Sequence, residues 1–314
     1  MRGLHVGAGI VHYREDLQTP PDAPGECRVR VVQAGVCATD LALVRGYMGF
    51  EGVPGHEFVG RAVDGPLAGR RVVGEINAAC GTCVDCRTSR GRHCTARTVL
   101  GILGRSGAFA EELVLPTTNL LPVPDGVSDA AATFVEPLAA ARHILDQVDV
   151  RPGMRALVVG DGRLGLLCGA SLQLAGADVH FAGRHPDRVD RLGLPMTWLD
   201  APAPKSFDLV VEASGRPETF ELALASVRPL GTLVLKTTTE RAAPLDLTPL
   251  VVDEITLVGS RCGPFAPALA WLAEGRIPVE NLVDARFPLQ EGAAALDRAG
   301  RRGTLKVLLE VDGS

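Results

Sequence analysis

The sequence of 314 residues has few aromatic side chains, no long apolar run and no run of basic residues. Phe, Trp and Tyr together make up only 4% of it. No stretch approaches the roughly 18 apolar residues of a membrane-spanning helix, and residues 1–10 lack the apolar run of a signal peptide. The 32 basic and 37 acidic side chains give a net charge of −5, which argues against binding to nucleic acid or to an anionic membrane. These absences predict a soluble, cytoplasmic protein.

Glycine and proline are plentiful, and the length fits two domains at roughly 100–200 residues per domain. The first third contains short strand patterns separated by Gly/Pro turns, whereas strands and helices alternate further along the chain. This alternation predicts an α/β fold with a doubly wound parallel sheet. In this part of the chain, strands are predicted at 155–159, 179–182, 209–212, 232–235 and 256–258, and helices at 130–148, 164–174 and 217–227. The C-terminal part is predicted to contain helices at 267–274 and 289–298 and a strand at 304–309.

A glycine motif follows the predicted strand 155–159. Gly160, Gly162 and Gly165 have the G-x-G-x-x-G spacing, with Arg163 and Leu164 between the last two glycines. Such glycines permit a tight turn and a close approach of the backbone to a pyrophosphate, and the helix N-terminus adds N–H donors. Because a strand precedes the motif and a helix follows it, the pattern indicates a dinucleotide site rather than a simple turn.

The end of the next strand bears on which dinucleotide is bound. An enzyme that uses NAD commonly has an acidic residue there, which binds the ribose hydroxyls. This chain has Gly183, Arg184 and His185 instead. A small residue followed by basic ones leaves room and charge for a 2′-phosphate, so the sequence favours NADP(H) over NAD(H). The alternative is a solvated Arg184 in an enzyme that accepts both.

Half of the eight cysteines lie in one short segment, as Cys80, Cys83, Cys86 and Cys94. Clustered thiols in a chain without a secretion signal are typical of metal ligands rather than of a disulfide scaffold. Four thiolates complete a tetrahedral zinc site and leave no position for a substrate, which predicts a structural zinc. His93 is an alternative fourth ligand. Cys27 and Cys168 are predicted to be core residues.

A second set of candidate metal ligands is spread along the chain. It contains a thiol, an imidazole and two carboxylates, namely Cys37, His56, Glu57 and Glu136. A catalytic zinc needs about three protein ligands of mixed type and one open position. The spacing alone does not show that these side chains meet, and His56 is equally compatible with a structural role after a turn.

Five segments together make the chain resemble the zinc-dependent medium-chain dehydrogenase/reductase family, which includes alcohol and polyol dehydrogenases. They are G-V-C-A-T-D (35–40), G-H-E (55–57), the four-cysteine segment (80–94), E-P-L (136–138) and V-V-G-D-G-R-L-G (158–165). The resemblance implies a GroES-like catalytic domain of residues 1–136 and 261–314, with a Rossmann domain at 137–260. It also implies a dimer or tetramer.

The resemblance also implies roles for individual residues. Cys37 and His56 would bind a catalytic zinc, Glu57 would be a ligand or a close neighbour, and Glu136 would be at or near the zinc, as in polyol-type members. Asp40 would accept a hydrogen bond from His56, and Thr39 would relay the substrate proton.

Four further residues are implied to lie on the cofactor side of the site. Lys306 would face the cofactor phosphates, although a plain surface lysine is an equal alternative. Ser214 and the pair Arg261 and Cys262 would lie near the nicotinamide.

The implied activity is zinc-dependent hydride transfer between an alcohol or polyol, or its carbonyl, and NADP(H) or NAD(H). Leu41 and Ala42 stand where several family members have a histidine, so proton exit would need another group. Two alternatives are a zinc-independent reductase of the same superfamily and a non-catalytic nucleotide sensor. The substrate is not predicted.

Overall fold

The computed structural model describes residues 1–21, 23–238 and 246–311. The chain forms two compact units. One contains Met1–Glu136 and the segment that begins at Phe265, and the other is Pro137–Pro264. The family resemblance implies a second boundary after residue 260, whereas the structure has it after Pro264. In the described part of the chain, no helix is long and apolar enough to cross a membrane.

The N-terminal part of the first unit is built mainly from strands. They are β1 (Gly3–Gly7), β2 (Ile10–Arg14), β3 (Glu26–Gly35), β4 (Glu57–Ala62), β5 (Arg71–Gly74), β6 (Asn77–Ala78), β7 (Thr98–Leu100), β8 (Gly104–Arg105), β9 (Glu112–Pro116) and β10 (Leu120–Pro122). The α-helices are α1 (Ala38–Val44), α2 (Val84–Arg87), α3 (Asp129–Ala132) and α4 (Val135–Arg142). The last of these contains the first boundary between the units.

The second unit alternates strands with helices, as the sequence predicts. Its strands are β11 (Arg155–Val159), β12 (Asp178–Ala182), β13 (Thr197–Trp198), β14 (Phe207–Glu212), β15 (Val227–Leu235) and β16 (Thr256–Gly259). Its helices are α5 (Ile144–Gln147), α6 (Arg163–Leu174), α7 (Phe220–Ser226) and α8 (Thr248–Val252). The strands form one parallel sheet in the order β13-β12-β11-β14-β15-β16. Buried Leu157, Val210 and Leu233 contribute to its core. The parallel sheet expected from the alternation is therefore present.

After Phe265 the chain returns to the first unit. It adds α9 (Phe265–Ala273), β17 (Val283–Pro288), α10 (Gly292–Gly300) and β18 (Lys306–Glu310). Strand β18 pairs with β3, with Leu308 opposite Gly35, and extends the sheet to the order β10-β5-β4-β3-β18-β17, to which β9 adds through β3. The C-terminal residues therefore complete the N-terminal sheet.

The prediction of one continuous helix at 130–148 is wrong, because the structure has three short helices there, α3, α4 and α5. Thr133 Oγ1 donates a hydrogen bond to the Ala130 carbonyl at 2.7 Å where α3 ends. Pro137 has no N–H, so it fits the first turn of a new helix better than a helix interior, and α4 begins two residues before it. Local hydrogen bonding therefore divides a segment whose composition favours one helix.

Candidate functional site

Three of the predicted metal ligands meet where β3 ends and β4 begins. Cys37 precedes α1 directly after β3, and antiparallel pairing places Gly35 opposite Glu57. As a result, the Cys37 thiol, a ring nitrogen of His56 and a carboxylate oxygen of Glu57 lie within 4.8 Å of one another. His56 and Glu57 are buried and Cys37 is half-buried. These thiol, imidazole and carboxylate donors suit zinc in type and separation.

Asp40 lies beside this cluster, with Oδ1 3.3 Å from His56 Nδ1, and is fully buried. Its Oδ2 accepts a hydrogen bond from the Cys37 N–H at 2.7 Å, and its Oδ1 accepts one from the Gly55 N–H at 3.2 Å. One carboxylate therefore ties together the two backbone segments that carry Cys37 and His56.

The expected hydrogen bond from His56 to Asp40 is not formed in this structure. His56 Nδ1 lies 3.3 Å from Asp40 Oδ1, close enough for an ion pair, yet it has no hydrogen-bond partner within the described residues. Burial lowers the pKa of His56, but the charges of Asp40 and Cys37 and the other contacts with these two side chains together outweigh burial, and this pKa lies well above its ordinary value. Asp40 therefore places a negative charge beside the imidazole.

Lys306 has a fully buried side chain, so the alternative of a plain surface lysine is wrong. Its place facing the cofactor phosphates stays a prediction. Its Nζ donates a hydrogen bond to Glu57 Oε2 and lies 5.1 Å from the centre of the Phe134 ring. Strand β18 pairs with β3, and this pairing brings Lys306 to the buried carboxylate.

Gly35 leaves the space that this pair needs. A Cβ at Gly35 would lie 2.5 Å from Glu57 Oε2 and 3.3 Å from Lys306 Nζ. The other carboxylate oxygen, Glu57 Oε1, is buried and has no hydrogen-bond partner in the described part of the chain. An unsatisfied buried carboxylate oxygen is costly, and a metal ion is one group that would satisfy it.

The remaining two residues of this predicted site lie at its edge or outside it. Thr39 Oγ1 is 3.8 Å from Cys37 Sγ, beside the cluster. Glu136, in α4, is partly buried but does not belong to the group of three ligand atoms found among residues 1–21, 23–238 and 246–311. The structure therefore brings Cys37, His56 and Glu57 together without Glu136.

The four-cysteine segment forms a second cluster, in and around α2. The Sγ atoms of Cys80, Cys83, Cys86 and Cys94 all lie within 4.8 Å of one another. Cys83 Sγ is 3.4 Å and Cys80 Sγ is 3.8 Å from Cys86 Sγ. Exposed His93 is not part of the group within the described residues. The arrangement has the four sulfur donors and the compactness of a tetrahedral zinc site.

The thiols of this cluster differ in acidity. Hydrogen bonds from the backbone and side chain of Thr82 lower the pKa of Cys80 to about 5. Burial, followed by the hydrogen bond with Cys83, raises the pKa of Cys86 to about 12. A cluster with one thiolate already favoured is suited to a cation, because metals bind thiolates rather than thiols.

The glycine motif forms the turn between β11 and α6. Gly160 has φ +121° and donates a hydrogen bond to the Ala182 carbonyl at 2.8 Å. Gly162 caps α6, and a Cβ at Gly165 would lie 2.0 Å from the Gly160 carbonyl oxygen. Arg163 and Leu164 begin the helix. The turn has the close contacts for which a dinucleotide loop requires glycine.

Asp161, a residue that the sequence patterns do not single out, attaches the residues after β12 to this turn. Asp161 Oδ1 accepts a hydrogen bond from the Arg184 N–H at 3.3 Å, and its Oδ2 lies 2.5 Å from His185 Nδ1. Arg188 Nη1 donates to the same Oδ2 at 3.3 Å. The sequence signal that could have pointed to this role is the acidic residue at position 161, the first variable position of the glycine motif.

Ser214 lies in the turn after β14, where the sequence places it. Its N–H donates to Glu212 Oε1 at 2.9 Å, and its Oγ lies 2.6 Å from Thr219 Oγ1. Lys236, also not singled out from sequence, donates from Nζ to the Arg261 carbonyl at 3.0 Å. These contacts fix the turns at the carboxyl ends of β14, β15 and β16.

Comparison with known proteins identifies both units. The model for the alcohol dehydrogenase GroES-like domain matches residues 23–125, and the model for the zinc-binding dehydrogenase domain matches residues 164–274. The L-threonine 3-dehydrogenase of Streptomyces avermitilis is 30% identical, over 94% of this chain and 94% of its own. The D-arabinitol dehydrogenase 1 of Uromyces fabae is 29% identical, over 91% of this chain and 90% of its own.

A solved structure is also similar over nearly the whole chain. A putative zinc-binding dehydrogenase from Sinorhizobium meliloti, solved bound to NADP, has a TM-score of 0.89 at 25% identity and covers 99% of each chain. The GroES-like and Rossmann folds implied by the sequence resemblance are thereby confirmed. The chain belongs to the zinc-dependent medium-chain dehydrogenase/reductase family and is an oxidoreductase of the type that uses zinc and a nicotinamide cofactor.

Proposed function

We propose that this enzyme transfers a hydride between an alcohol or polyol, or the corresponding carbonyl, and NADP(H), at a zinc held by Cys37, His56 and Glu57. The observation that carries this proposal is the meeting of those three ligand atoms within 4.8 Å in a buried setting. The unsatisfied Glu57 Oε1 supports it, because a bound cation would give that oxygen a partner. Glu136 remains a proposed neighbour of the zinc, directly or through water.

Each residue near the cluster has a proposed task. When bound, zinc supplies a Lewis acid that lowers the pKa of an alcohol hydroxyl, and the nicotinamide supplies the hydride acceptor. Thr39, half-buried beside Cys37, would relay the hydroxyl proton: Oγ1 accepts it and gives up its own proton to water, the cofactor ribose or another group on the way to solvent. Asp40 holds the Cys37 and Gly55 backbones in place and keeps a negative charge near His56. Lys306 neutralises the Glu57 oxygen that faces it.

We also propose that Cys80, Cys83, Cys86 and Cys94 bind a second, structural zinc. Four sulfur donors fill a tetrahedral site and leave no open position for a substrate. Cys80 is exposed, so the cluster reaches the surface, whereas Cys94 is buried. A zinc bound there would fasten the segment around α2 to the rest of the fold. Thiolates of this kind persist in a reducing compartment, which supports the expected cytoplasmic location.

The preference for NADP is proposed from the loop after β12. Gly183, Arg184 and His185 follow the strand with no acidic side chain among them, and Arg184 is exposed. A guanidinium there would bind a 2′-phosphate, whereas NAD presents a hydroxyl at that position. Gly160, Gly162, Arg163, Leu164 and Gly165 would bind the pyrophosphate, and Ser214 would lie by the nicotinamide.

The test of this function combines metal content with turnover. Protein purified without chelator is expected to contain about two zinc atoms per chain and to oxidise alcohols or polyols with NADP⁺ in a chelator-sensitive way. Elemental mass spectrometry and a substrate screen with NADP⁺ and NAD⁺ measure both properties. About one zinc per chain with chelator-insensitive reduction of activated double bonds would favour the zinc-independent reductase. Cofactor binding without any turnover would favour the nucleotide sensor.

A homodimer is proposed from the edge of the parallel sheet. Strand β16 ends the strand order, and nearby side chains on and before it are exposed, including Leu257 at 43%, Val251 at 77% and Val252 at 71%. A second copy related by two-fold symmetry would pair with this edge and cover these apolar groups.

Replacing Leu257 with lysine is expected to halve the molar mass measured by light scattering, because charge would be buried at the interface. The matched control is Leu103→Lys, which alters a leucine of the first unit that is 42% exposed. An unchanged mass for Leu257→Lys would contradict this interface.

A further inference from the structure

The carboxylate of Asp161 links the glycine turn to the loop that follows β12. Asp161 is only 6% exposed although it lies in a surface turn. It accepts from the Arg184 N–H at 3.3 Å, lies 2.5 Å from His185 Nδ1 and accepts from Arg188 Nη1 at 3.3 Å. Arg188, itself 8% exposed, also donates to the Asp161 carbonyl oxygen at 3.2 Å. Asp161 therefore contacts three residues of one loop.

Asp161 also occupies the space that a side chain at position 183 would take. A Cβ at Gly183 would lie 2.6 Å from Asp161 Oδ1 and 2.9 Å from its Cγ. Position 183 is at the strand end where an NAD-type enzyme carries its ribose-binding acid. A carboxylate thus reaches that strand end from the glycine motif, and Gly183 is the residue that makes room for it.

The contacts of this carboxylate distinguish between two roles: binding the ribose hydroxyls of the cofactor, and holding the loop after β12. If it bound the ribose hydroxyls, its oxygens would face open space. Instead, Oδ2 is shared by His185 and Arg188, and Oδ1 accepts from the backbone of Arg184. The Arg184 guanidinium is exposed, and no ion pair with it is found among the residues that the structure describes. The Asp161 carboxylate therefore interacts with residues of the loop, and the Arg184 guanidinium is accessible to a ligand.

We propose that Asp161 is a positioning residue for cofactor selection: it fixes the backbone of the loop Gly183–Arg188 so that Arg184 meets the 2′-phosphate of NADP. This inference rests on the proposed NADP preference. Asp161 acts through Arg184, so its removal should weaken NADP⁺ binding and leave NAD⁺ binding nearly unchanged.

The experiment is a double-mutant cycle on the zinc-loaded chain, with NADP⁺ and NAD⁺ affinities measured by titration calorimetry. Asp161→Ala is expected to weaken NADP⁺ binding about tenfold and to change NAD⁺ binding less than about twofold. In an Arg184→Ala background, the same substitution should change NADP⁺ binding less than about twofold, because its effect passes through Arg184. Thermal unfolding without cofactor reports the folding of each variant.

Asp161→Asn serves as the conservative variant, since its amide oxygen still accepts from the Arg184 N–H. An intermediate loss of NADP⁺ affinity, about threefold, is expected for it. Tighter NADP⁺ binding by Asp161→Asn would overturn the inference, because the carboxylate charge would then oppose the phosphate. Weaker NAD⁺ binding by Asp161→Ala would overturn it as well, and would assign Asp161 to the ribose hydroxyls.

Different results would refute the proposed NADP preference and the proposed role of Asp161. If wild-type chain prefers NAD⁺ and Arg184→Ala leaves NADP⁺ binding unchanged, the proposed NADP preference is wrong and this inference falls with it. If Arg184→Ala weakens NADP⁺ binding but Asp161→Ala does not, or does so equally in both backgrounds, the NADP preference stands and the role of Asp161 alone is refuted.

Discussion

Replacing Cys37 with serine is expected to lower kcat by about a thousandfold or more while leaving NADP⁺ affinity unchanged. Zinc binds thiolate strongly, and a serine hydroxyl stays protonated at neutral pH, so the proposed site would lose one of its three ligands. The glycine turn and the loop after β12 belong to the other unit, which is the reason that nucleotide binding should persist. The zinc content should fall by about one atom per chain.

The matched control for this variant is Cys27→Ser. Cys27 is fully buried in β3, and its Sγ faces the carbonyl oxygens of Arg28 and Asp64 at 3.4 Å each, to which a hydroxyl also donates. Steady-state kinetics, calorimetry and elemental analysis are then compared for the two serine variants. Full turnover by Cys37→Ser would refute the zinc ligand set, whereas equal losses in both variants would indicate general damage to the fold.

Replacing Lys306 with methionine should lower the free energy of unfolding by about 3–5 kcal/mol in chelator-treated protein. The substitution leaves the Glu57 carboxylate buried without its cation, and both side chains of this pair are fully inaccessible to solvent. Zinc at the proposed site would offset part of that charge, so the loss should be smaller in the zinc-loaded protein. Denaturant unfolding in the two metal states measures the difference.

An exposed ion pair provides the control for Lys306→Met. Lys205 Nζ lies 2.7 Å from Asp253 Oδ2, but the lysine side chain is 56% accessible to solvent. Lys205→Met should therefore cost less than about 1 kcal/mol. If both methionine variants are equally stable, the Lys306–Glu57 pair does not have the burial-dependent strength assigned to it.

Much of the Rossmann unit was predictable, because its signals are local. Strand β11 has the predicted bounds, 155–159, and β12 starts one residue before its prediction at 179. A buried parallel strand is a short continuous apolar run, and the glycine motif fixes the turn that follows it. The four-cysteine cluster is local in the same sense, since the chain between Cys80 and Cys94 is short enough to bring the thiols together.

The zinc ligand set could be proposed from sequence only through a family resemblance. Its members approach because β3 and β4 pair in a register that sets Gly35 opposite Glu57, and register depends on partners across the sheet. Glu136 shows the same limit: the sequence groups it with these ligands, but within the described residues it is not part of the cluster of Cys37, His56 and Glu57.

The sequence by itself determined the class of fold, the dinucleotide turn and the four-thiol cluster, since each is encoded by residues close together in the chain. Only the tertiary structure decided the positions of Lys306 and Asp161. Lys306 is buried because the last strand returns to pair with β3, and Asp161 contacts the loop after β12 because parallel strands bring two loops to one sheet edge. Contacts between distant segments depend on packing and strand register, which no local pattern specifies.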